Sequence, residues 1–179
     1  GMGKSLPALG RGFCCHPQYM SYGLFEEPVN AHKSAFQCVK SEDPGFRKQG
    51  FKLENVFAPP VATAMIMPGY GREHMALMKK YRFIASMETA ARDEPAGRIW
   101  LAKGDTIKID KGLTAQARER VAAGRRTIRE LFLAAGAKQV IECDQGFGLH
   151  LMGGCVMGTD SGKSVVDPEF RVHGLSRLS

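Results

Sequence analysis

The chain has 179 residues, a formal net charge of +7 and a pI of about 9.3, and 44% of its residues are hydrophobic. This length and apolar content suit one globular domain with room for a piece of a second, and we find no internal repeat or low-complexity segment. No window approaches a transmembrane span and no recognition motif accompanies the positive charge, so we expect neither a membrane nor a nucleic-acid partner.

Short apolar segments separated by turn residues fill the first part of the chain. The pattern predicts strands at residues 18–25, 34–40 and 52–57. Residues 41–45 contain Pro and Gly and are predicted to form a turn. Residues 61–67 are apolar, and their pattern fits a short buried helix or a strand equally well. Residues 74–80 are predicted to be helical.

The second part of the chain contains longer elements. The pattern predicts three strands joined by short turns, at residues 83–91, 97–101 and 106–109, which is typical of an antiparallel meander. A helix is predicted at residues 115–135, followed by a strand at 138–143. The apolar face of this helix is predicted to contain Val121, Ile128, Leu131, Phe132 and Ala135. Gly136 is suited to end the helix in a left-handed conformation. This mixture predicts an α+β fold, an antiparallel sheet flanked by helices.

The most specific signal lies near the end of the sequence. One stretch reads His150-Leu-Met-Gly-Gly-Cys-Val-Met-Gly, and a second reads Val165-Val-Asp-Pro-Glu-Phe-Arg-Val-His-Gly. Both resemble, in order and spacing, the C-terminal signature of the glucose-methanol-choline (GMC) oxidoreductases. Two earlier stretches are similar to the family more loosely, at residues 12–17 and 93–97. The resemblance therefore spans nearly the whole chain and is most specific at its end.

The resemblance implies an activity and a set of site residues. GMC oxidoreductases use FAD to oxidise CH–OH groups of a small alcohol to a carbonyl. His150 is then the catalytic acid/base or alkoxide-stabilising residue, a role that suits a side chain titrating near neutral pH. Gly153 and Gly154 are implied to be cofactor-binding, because glycine lets the backbone approach a flavin or substrate closely. The implied fold is like that of the GMC substrate domain.

Two departures from the family pattern bear on FAD. The dinucleotide-binding motif Gly-x-Gly-x-x-Gly is absent, and its nearest substitute, Gly69-Tyr-Gly71, has the sequence of a turn. Arg177 stands where the family usually has Asn. In the family, this Asn begins a further strand, and a second catalytic His or Asn follows that strand. We therefore expect a chain truncated at both ends that does not bind FAD and is inactive alone.

The resemblance also implies a division of the chain. Residues 1–17 correspond to a remnant of the flavin-domain end, residues 18–149 to a substrate-binding-type domain, and residues 150–179 to an incomplete flavin and active-site segment. The alternative is a non-catalytic interaction module that docks on a separate flavin domain. Such a module would expose a large apolar face and could form homo-oligomers.

Remaining motif residues and the cysteines favour structural roles. Asp167 is expected to fix a turn beside Pro168, and His173 to have no catalytic role. Core packing is the preferred interpretation of the methionines at positions 65, 67, 75, 78 and 87, over lining a pocket. The five cysteines are odd in number and irregularly spaced, which argues against a disulfide framework and for a reducing, cytoplasmic location. Their spacing from His16 and His150 is not that of a zinc site, so no metal is predicted.

Overall fold

A computed structural model describes residues 5–178. Its strands are β1 (Arg11–Leu24), β2 (Phe51–Glu54), β3 (Ile84–Ala91), β4 (Gly97–Leu101), β5 (Ile107–Asp110) and β6 (Gln139–Met152). Its helices are α1 (Pro44–Gln49), α2 (Pro60–Ile66), α3 (Gly71–Met78) and α4 (Ala115–Ala134). The first four residues of the predicted 1–17 segment, and the last residue of the predicted 150–179 segment, lie outside the described residues. No helix within residues 5–178 is long and apolar enough to cross a membrane.

The strands of the described chain form an antiparallel sheet flanked by helices, which confirms the predicted α+β class. Their order is β2-β3-β1-β4-β5, and β6 also pairs with β1. The predicted meander is wrong because β1 lies between β3 and β4. At 14 residues, β1 is long enough to pair with β4 through Arg11 and Phe13 and with β3 from Gln18 onwards. The strands β4 and β5 do form a hairpin.

The chain divides into two compact units, which we describe separately. Of the described residues, unit 1 comprises 5–15, 93–114 and 150–178, and unit 2 comprises 16–92 and 115–149. The sequence-based division after residue 17 and before residue 150 stays a prediction.

Unit 2 has an apolar core on each face of its strands. On one face, α4 packs through Val121, Ile128 and Phe132 onto Phe51 and Leu53. Burial of each such side chain stabilises the fold by about 1.5–3 kcal/mol. On the opposite face, Met20, Tyr22, Leu24 and Ile84 pack with residues of the segment that follows β2, among them Val56, Phe57 and Met67. Helix, sheet and loop therefore enclose two cores in this unit.

The buried face of α4 differs slightly from the predicted one. Leu131 is 44% exposed, whereas Ala117 and Gly124 are buried. A Cβ atom at Gly124 would lie 1.9 Å from Thr89 Oγ1, so the glycine allows the helix to approach β3 closely. The sequence pattern placed Leu131 on the buried face and left out Gly124, because a glycine has no apolar side chain that would mark it as buried. Gly136 has φ +91°, as expected of the residue that ends the helix.

The predicted strand at residues 34–40 is wrong. The segment reaches strand geometry at one isolated bridge, Lys40 with Glu54. The side chain of Asn55 explains the difference, because its Oδ1 accepts hydrogen bonds from the backbone N–H groups of Cys38 (3.2 Å) and Val39 (2.6 Å). A side chain therefore satisfies donors that a neighbouring strand would otherwise bind.

Two other elements differ from the predicted pattern. The turn predicted at residues 41–45 contains the start of α1, where Asp43 Oδ1 accepts from the N–H of Gly45 and Phe46, and Pro44 is the first helical residue. The ambiguous residues 61–67 are helical and form most of α2. The core interpretation of the methionines is confirmed for Met67, which is buried, and wrong for Met65 and Met75, which are 74% and 57% exposed.

Candidate active site

His150 lies near the end of β6 in unit 1, and its side chain is exposed. Its backbone is in the left-handed region, with φ +53°. This conformation is uncommon for a non-glycine residue, costs roughly 1 kcal/mol or more, and is often found at functional sites. Gly153 and Gly154 follow with φ +84° and +78°. A histidine and two glycines in left-handed conformations therefore end this strand.

The two glycines pack against the first residues of β1. A Cβ atom at Gly153 would lie 1.9 Å from the carbonyl oxygen of Gly12. The N–H of Gly154 donates to the carbonyl of Arg11 (3.0 Å), and the carbonyl of Gly154 accepts from the N–H of Gly10 (2.7 Å). At Gly153 the absence of a side chain thus makes room for the protein's own backbone.

Gly10, which sequence analysis did not single out, extends this contact to β4. A Cβ atom at Gly10 would lie 1.9 Å from the carbonyl oxygen of Ile99, and the N–H of Ile99 donates to the Gly10 carbonyl (2.7 Å). Backbone from three distant parts of the sequence therefore meets here. The only local signal is the pair of glycines at positions 10 and 12.

An open apolar pocket of about 390 Å³ borders this junction within unit 1. Its lining includes Leu9, Ile99, Trp100, Ile107, Gly153 and Gly154. In the β4–β5 hairpin, Ile99 lies opposite Ile109 and Leu101 lies opposite Ile107, so these four side chains share one face. Leu101 and Ile107 are each 66% exposed. The predicted cofactor-binding glycines therefore line an apolar, solvent-accessible recess.

Comparison with known proteins agrees with the motif at this site. Residues 72–179 match the family described as GMC oxidoreductase. The chain belongs to this family. Two uncharacterized GMC-type oxidoreductases from two strains of Mycobacterium tuberculosis are 29% identical to it over 136 residues. That alignment covers 75% of this chain and 21% of each relative, so the chain spans about a fifth of the length of the curated relatives it matches.

The second GMC-like stretch forms a turn centred on Asp167. Asp167 Oδ1 accepts from the N–H groups of Glu169 (3.0 Å) and Arg171 (2.9 Å), and Oδ2 accepts from Arg171 Nε (2.8 Å). The prediction that Asp167 fixes a turn is confirmed. His173 Nε2 lies 2.9 Å from Ser164 Oγ and 3.0 Å from the carbonyl oxygen of Gly158. His173 is thus bound within the loop that follows the glycines.

A buried ion pair, which sequence analysis missed, supports the GMC-like stretch at residues 93–97. Lys111 Nζ lies 3.0 Å from Asp93 Oδ2, and the side chains are 9% and 0% exposed. Asp93 Oδ2 also accepts from the N–H of Cys15 (3.2 Å). The Asp93 carboxylate, which lies before β4, therefore connects Lys111, directly after β5, with Cys15 on β1. Nothing in the local sequence pattern distinguishes Lys111 from the other lysines of the chain.

The raised pKa values of three described thiols agree with structural roles for these cysteines. Burial, followed by the charge of Asp93, raises the pKa of both Cys14 and Cys15 above the ordinary value. Burial raises the pKa of Cys143 to about 12. All these thiols are free and protonated at neutral pH. Within residues 5–178, no three His, Cys, Asp or Glu side chains lie close enough to hold a metal ion.

Gly69 lies in the connection between α2 and α3, and Gly71 is the first residue of α3, with φ +86° and +59° respectively. They follow a helix, whereas a dinucleotide-binding glycine loop follows a strand. The interpretation of Gly69-Tyr-Gly71 as a turn is therefore confirmed.

Proposed function

We propose that this chain is the proton-handling, substrate-side part of an FAD-dependent GMC oxidoreductase that oxidises CH–OH groups of small alcohols. One observation carries the proposal. In a chain of this family, His150 has a left-handed backbone and precedes a glycine pair that borders an apolar pocket of about 390 Å³. Two residues separate His150 from the glycines that line this recess, and an apolar recess with a few polar groups nearby is the usual form of a small-molecule site.

The residues of the pocket fit a flavin ring in part. Among residues 5–178, and apart from the chain neighbours of Gly154, the atom nearest to a Cβ placed at Gly154 is Ile99 Cδ1, at 4.0 Å. Trp100 and Ile107 provide apolar walls. These residues would contact the ring, and FAD supplies the hydride acceptor when bound. The glycine loop that holds a pyrophosphate has no counterpart in this sequence. We infer that this chain alone does not retain FAD and is inactive.

The proposed role of His150 is to manage the hydroxyl proton. Conversion of CH–OH to C=O removes a proton from oxygen and a hydride from carbon. An imidazole nitrogen of His150 accepts the proton as the C=O bond forms. Gly153 acts at a distance from this step, since its contact with Gly12 holds the turn that follows His150.

The alternative, an interaction module, rests on the exposed apolar residues of unit 1. Besides Leu101 and Ile107, they include Ile109, Leu151 and Met157. Side chains of this kind at high exposure are typical of a surface that another polypeptide covers. A separate or covalently linked flavin domain is the proposed partner, and association of two copies of this chain is the competing outcome.

The first test is titration of the purified chain with FAD, followed by visible absorbance and flavin fluorescence. We expect no stoichiometric binding and no bleaching on addition of alcohols. Tight binding with alcohol-dependent bleaching would overturn the inferred inactivity of the chain.

The role of His150 is tested in a longer, FAD-containing protein that carries this sequence. We expect His150→Ala to abolish alcohol-dependent flavin reduction while FAD content stays unchanged. In the control variant His32→Ala, the alcohol should reduce the flavin as it does in the unmodified protein. Unchanged reduction in His150→Ala would remove His150 from the mechanism.

A further inference from the structure

Five arginines lie on α4, at positions 118, 120, 125, 126 and 129, and four of them fall into two groups. Arg125 and Arg129 lie 3.1 Å from carboxylate oxygens of Glu142 on β6, and Arg125 also lies 3.5 Å from Asp144. These two arginines are neutralised by neighbouring acids. Arg120 and Arg126 instead line a cavity at the junction of α4 with the end of α1.

This cavity, which we call the basic groove, has a volume of about 440 Å³ within unit 2. Four cationic side chains line it, from Lys48, Arg92, Arg120 and Arg126, against one carboxylate, Glu119. Within residues 5–178, the side chains of Lys48, Arg92 and Arg126 form no ion pair. Like charges collected in a concavity produce a positive potential that attracts an anion.

The floor of the basic groove is held by defined contacts. Gly50 has φ +84°, and a Cβ atom there would lie 2.6 Å from Arg120 Nε. The Nη1 of Arg120 donates to the carbonyl of Arg92 (2.8 Å), and the N–H of Arg92 donates to the carbonyl of Gly50 (2.7 Å). Arg120 is therefore ordered before any ligand binds, which lowers the entropic cost of binding.

A neighbouring cavity of about 230 Å³ shows why the basic groove is the better candidate. It shares Gly50 and Arg92 with the groove, and its other cations include Lys40 and Lys52. Those cations already have carboxylate partners, since Lys40 pairs with Glu42 (2.7 Å) and Lys52 with Glu54 (2.8 Å). The positive charge of the 230 Å³ cavity is thus largely compensated, whereas three of the four cations of the basic groove, Lys48, Arg92 and Arg126, have no ion-pair partner within residues 5–178.

We propose that the basic groove binds a phosphate group, either as inorganic phosphate or as the phosphate of a small phosphomonoester. Guanidinium groups match phosphate oxygens with paired N–H donors, and three arginines line the groove. A nucleic acid would require a longer cationic track, and Arg125 and Arg129 on the same helix are occupied by acids. The proposed site is independent of the oxidoreductase chemistry.

The experiment is a titration of the isotopically labelled chain with sodium phosphate at constant ionic strength, followed by amide NMR shifts. We expect saturable shifts centred on residues 48–50, 92 and 119–126. Arg126→Gln and Arg92→Gln should each weaken phosphate about fivefold to tenfold, because a charge-assisted contact is lost. Glu119→Gln should tighten binding about twofold to fivefold, because a repelling charge is removed.

Arg118→Gln is the matched control, since Arg118 is exposed on the same helix and does not line the groove. It should leave phosphate affinity within about twofold. The amide spectrum of each variant reports whether it is folded. A parallel titration with adenosine monophosphate distinguishes inorganic phosphate from a phosphomonoester. Equal affinities indicate that the phosphate group alone is recognised, and tighter binding of the nucleotide indicates a phosphomonoester ligand.

Three results would overturn the proposal. The first is a linear, non-saturating response to phosphate. The second is equal weakening in Arg118→Gln and Arg126→Gln, which would indicate general screening. The third is much tighter binding of a single-stranded oligonucleotide that also depends on Arg118, which would indicate a nucleic-acid face.

Discussion

Unit 1 and unit 2 are stabilised by different kinds of contact. Unit 2 encloses two apolar cores, with α4 on one face of its strands and the segment after β2 on the other. In unit 1 the buried apolar cluster is small, formed by Leu6, Ala8 and Val165 with partly buried neighbours. Its segments are joined instead by backbone hydrogen bonds and by glycines that permit close approach.

The two units are therefore destabilised by different kinds of substitution. The stability of unit 2 depends on buried side-chain volume. Truncation of a core side chain should therefore lower the free energy of unfolding strongly, whereas substitutions on the surface should change it little. Stability in unit 1 depends on the absence of side chains at a few positions, while several of its apolar side chains remain exposed. Exposed apolar surface of this kind is typical of a part that associates with another polypeptide.

The largest expected effect is that of Gly153→Ala in unit 1. The added Cβ would lie 1.9 Å from a backbone oxygen at a residue with φ +84°, so we expect a loss of about 4 kcal/mol, measured by urea denaturation. Gly112→Ala is the control, because no described residue other than the chain neighbours of Gly112 lies within 4 Å of its missing Cβ, and it should change stability by under about 0.5 kcal/mol. Equal effects of the two changes would contradict the role of the glycine contact.

The second largest effect is expected when a core side chain of unit 2 is truncated. Ile128 on α4 is 0% exposed, and Ile128→Ala should lower the free energy of unfolding by about 3 kcal/mol. Leu131→Ala, on the same helix but 44% exposed, should cost less than about 1 kcal/mol. A larger cost at Leu131 would show that the helix face predicted from the sequence is the buried one after all.

A buried carboxyl group gives unit 2 a pH dependence. Burial, and the carboxylate of Glu54 opposite it on β2, raise the pKa of Glu88 from 4.5 to about 7. The native state therefore retains a proton that the unfolded chain releases, so stability falls as pH rises from about 4.5 to 7. Glu88→Gln should remove this fall and stabilise the protein by on the order of 2 kcal/mol at pH 8.

The measurement is the urea midpoint at pH 5 and pH 8, with Glu130→Gln on the exposed face of α4 as the control. The prediction fails if Glu88→Gln destabilises the protein at pH 8, or if both variants keep the same pH dependence.

The smallest effect on stability is expected on the apolar face of unit 1. The double change Leu101→Ser with Ile107→Ser should alter the free energy of unfolding by under about 0.5 kcal/mol per site, since both side chains are 66% exposed. It should nevertheless reduce self-association in sedimentation experiments. Val61→Ser, 75% exposed in unit 2, is the control, and an equal reduction there would argue against a special face in unit 1.

Local pattern predicted much of unit 2 and the hairpin of unit 1. The α4 helix and the strand at residues 97–101 follow from clear periodicity and flanking turn residues. The α1 helix was missed although Asp43 and Pro44 form a helix-start signal, because Pro and Gly in the same stretch also signal a turn. The segment at residues 34–40 was misassigned because the hydrogen bonds of Asn55 come from outside it.

The candidate site was predicted through its motif and not through its geometry. The motif named His150, Gly153 and Gly154, whose roles in catalysis and cofactor binding stay predictions. The contacts of Gly153 with Gly12 and of Gly10 with Ile99 join residues far apart in the sequence, and no local pattern encodes them. The Asp93–Lys111 ion pair is hidden for the same reason.

The contact of Gly153 with Gly12 also has a consequence for the order of folding. During synthesis, the start of β1 leaves the ribosome long before Gly153, and the residues of unit 2 lie between them in the sequence. Local contacts such as those of α4 form early, whereas closure of so long a loop is slow. In a refolding experiment with pulsed hydrogen exchange, the amides of Gly10 and Gly154 should therefore become protected after those of α4. Until then, the apolar residues of unit 1 are open to chaperones and to other chains.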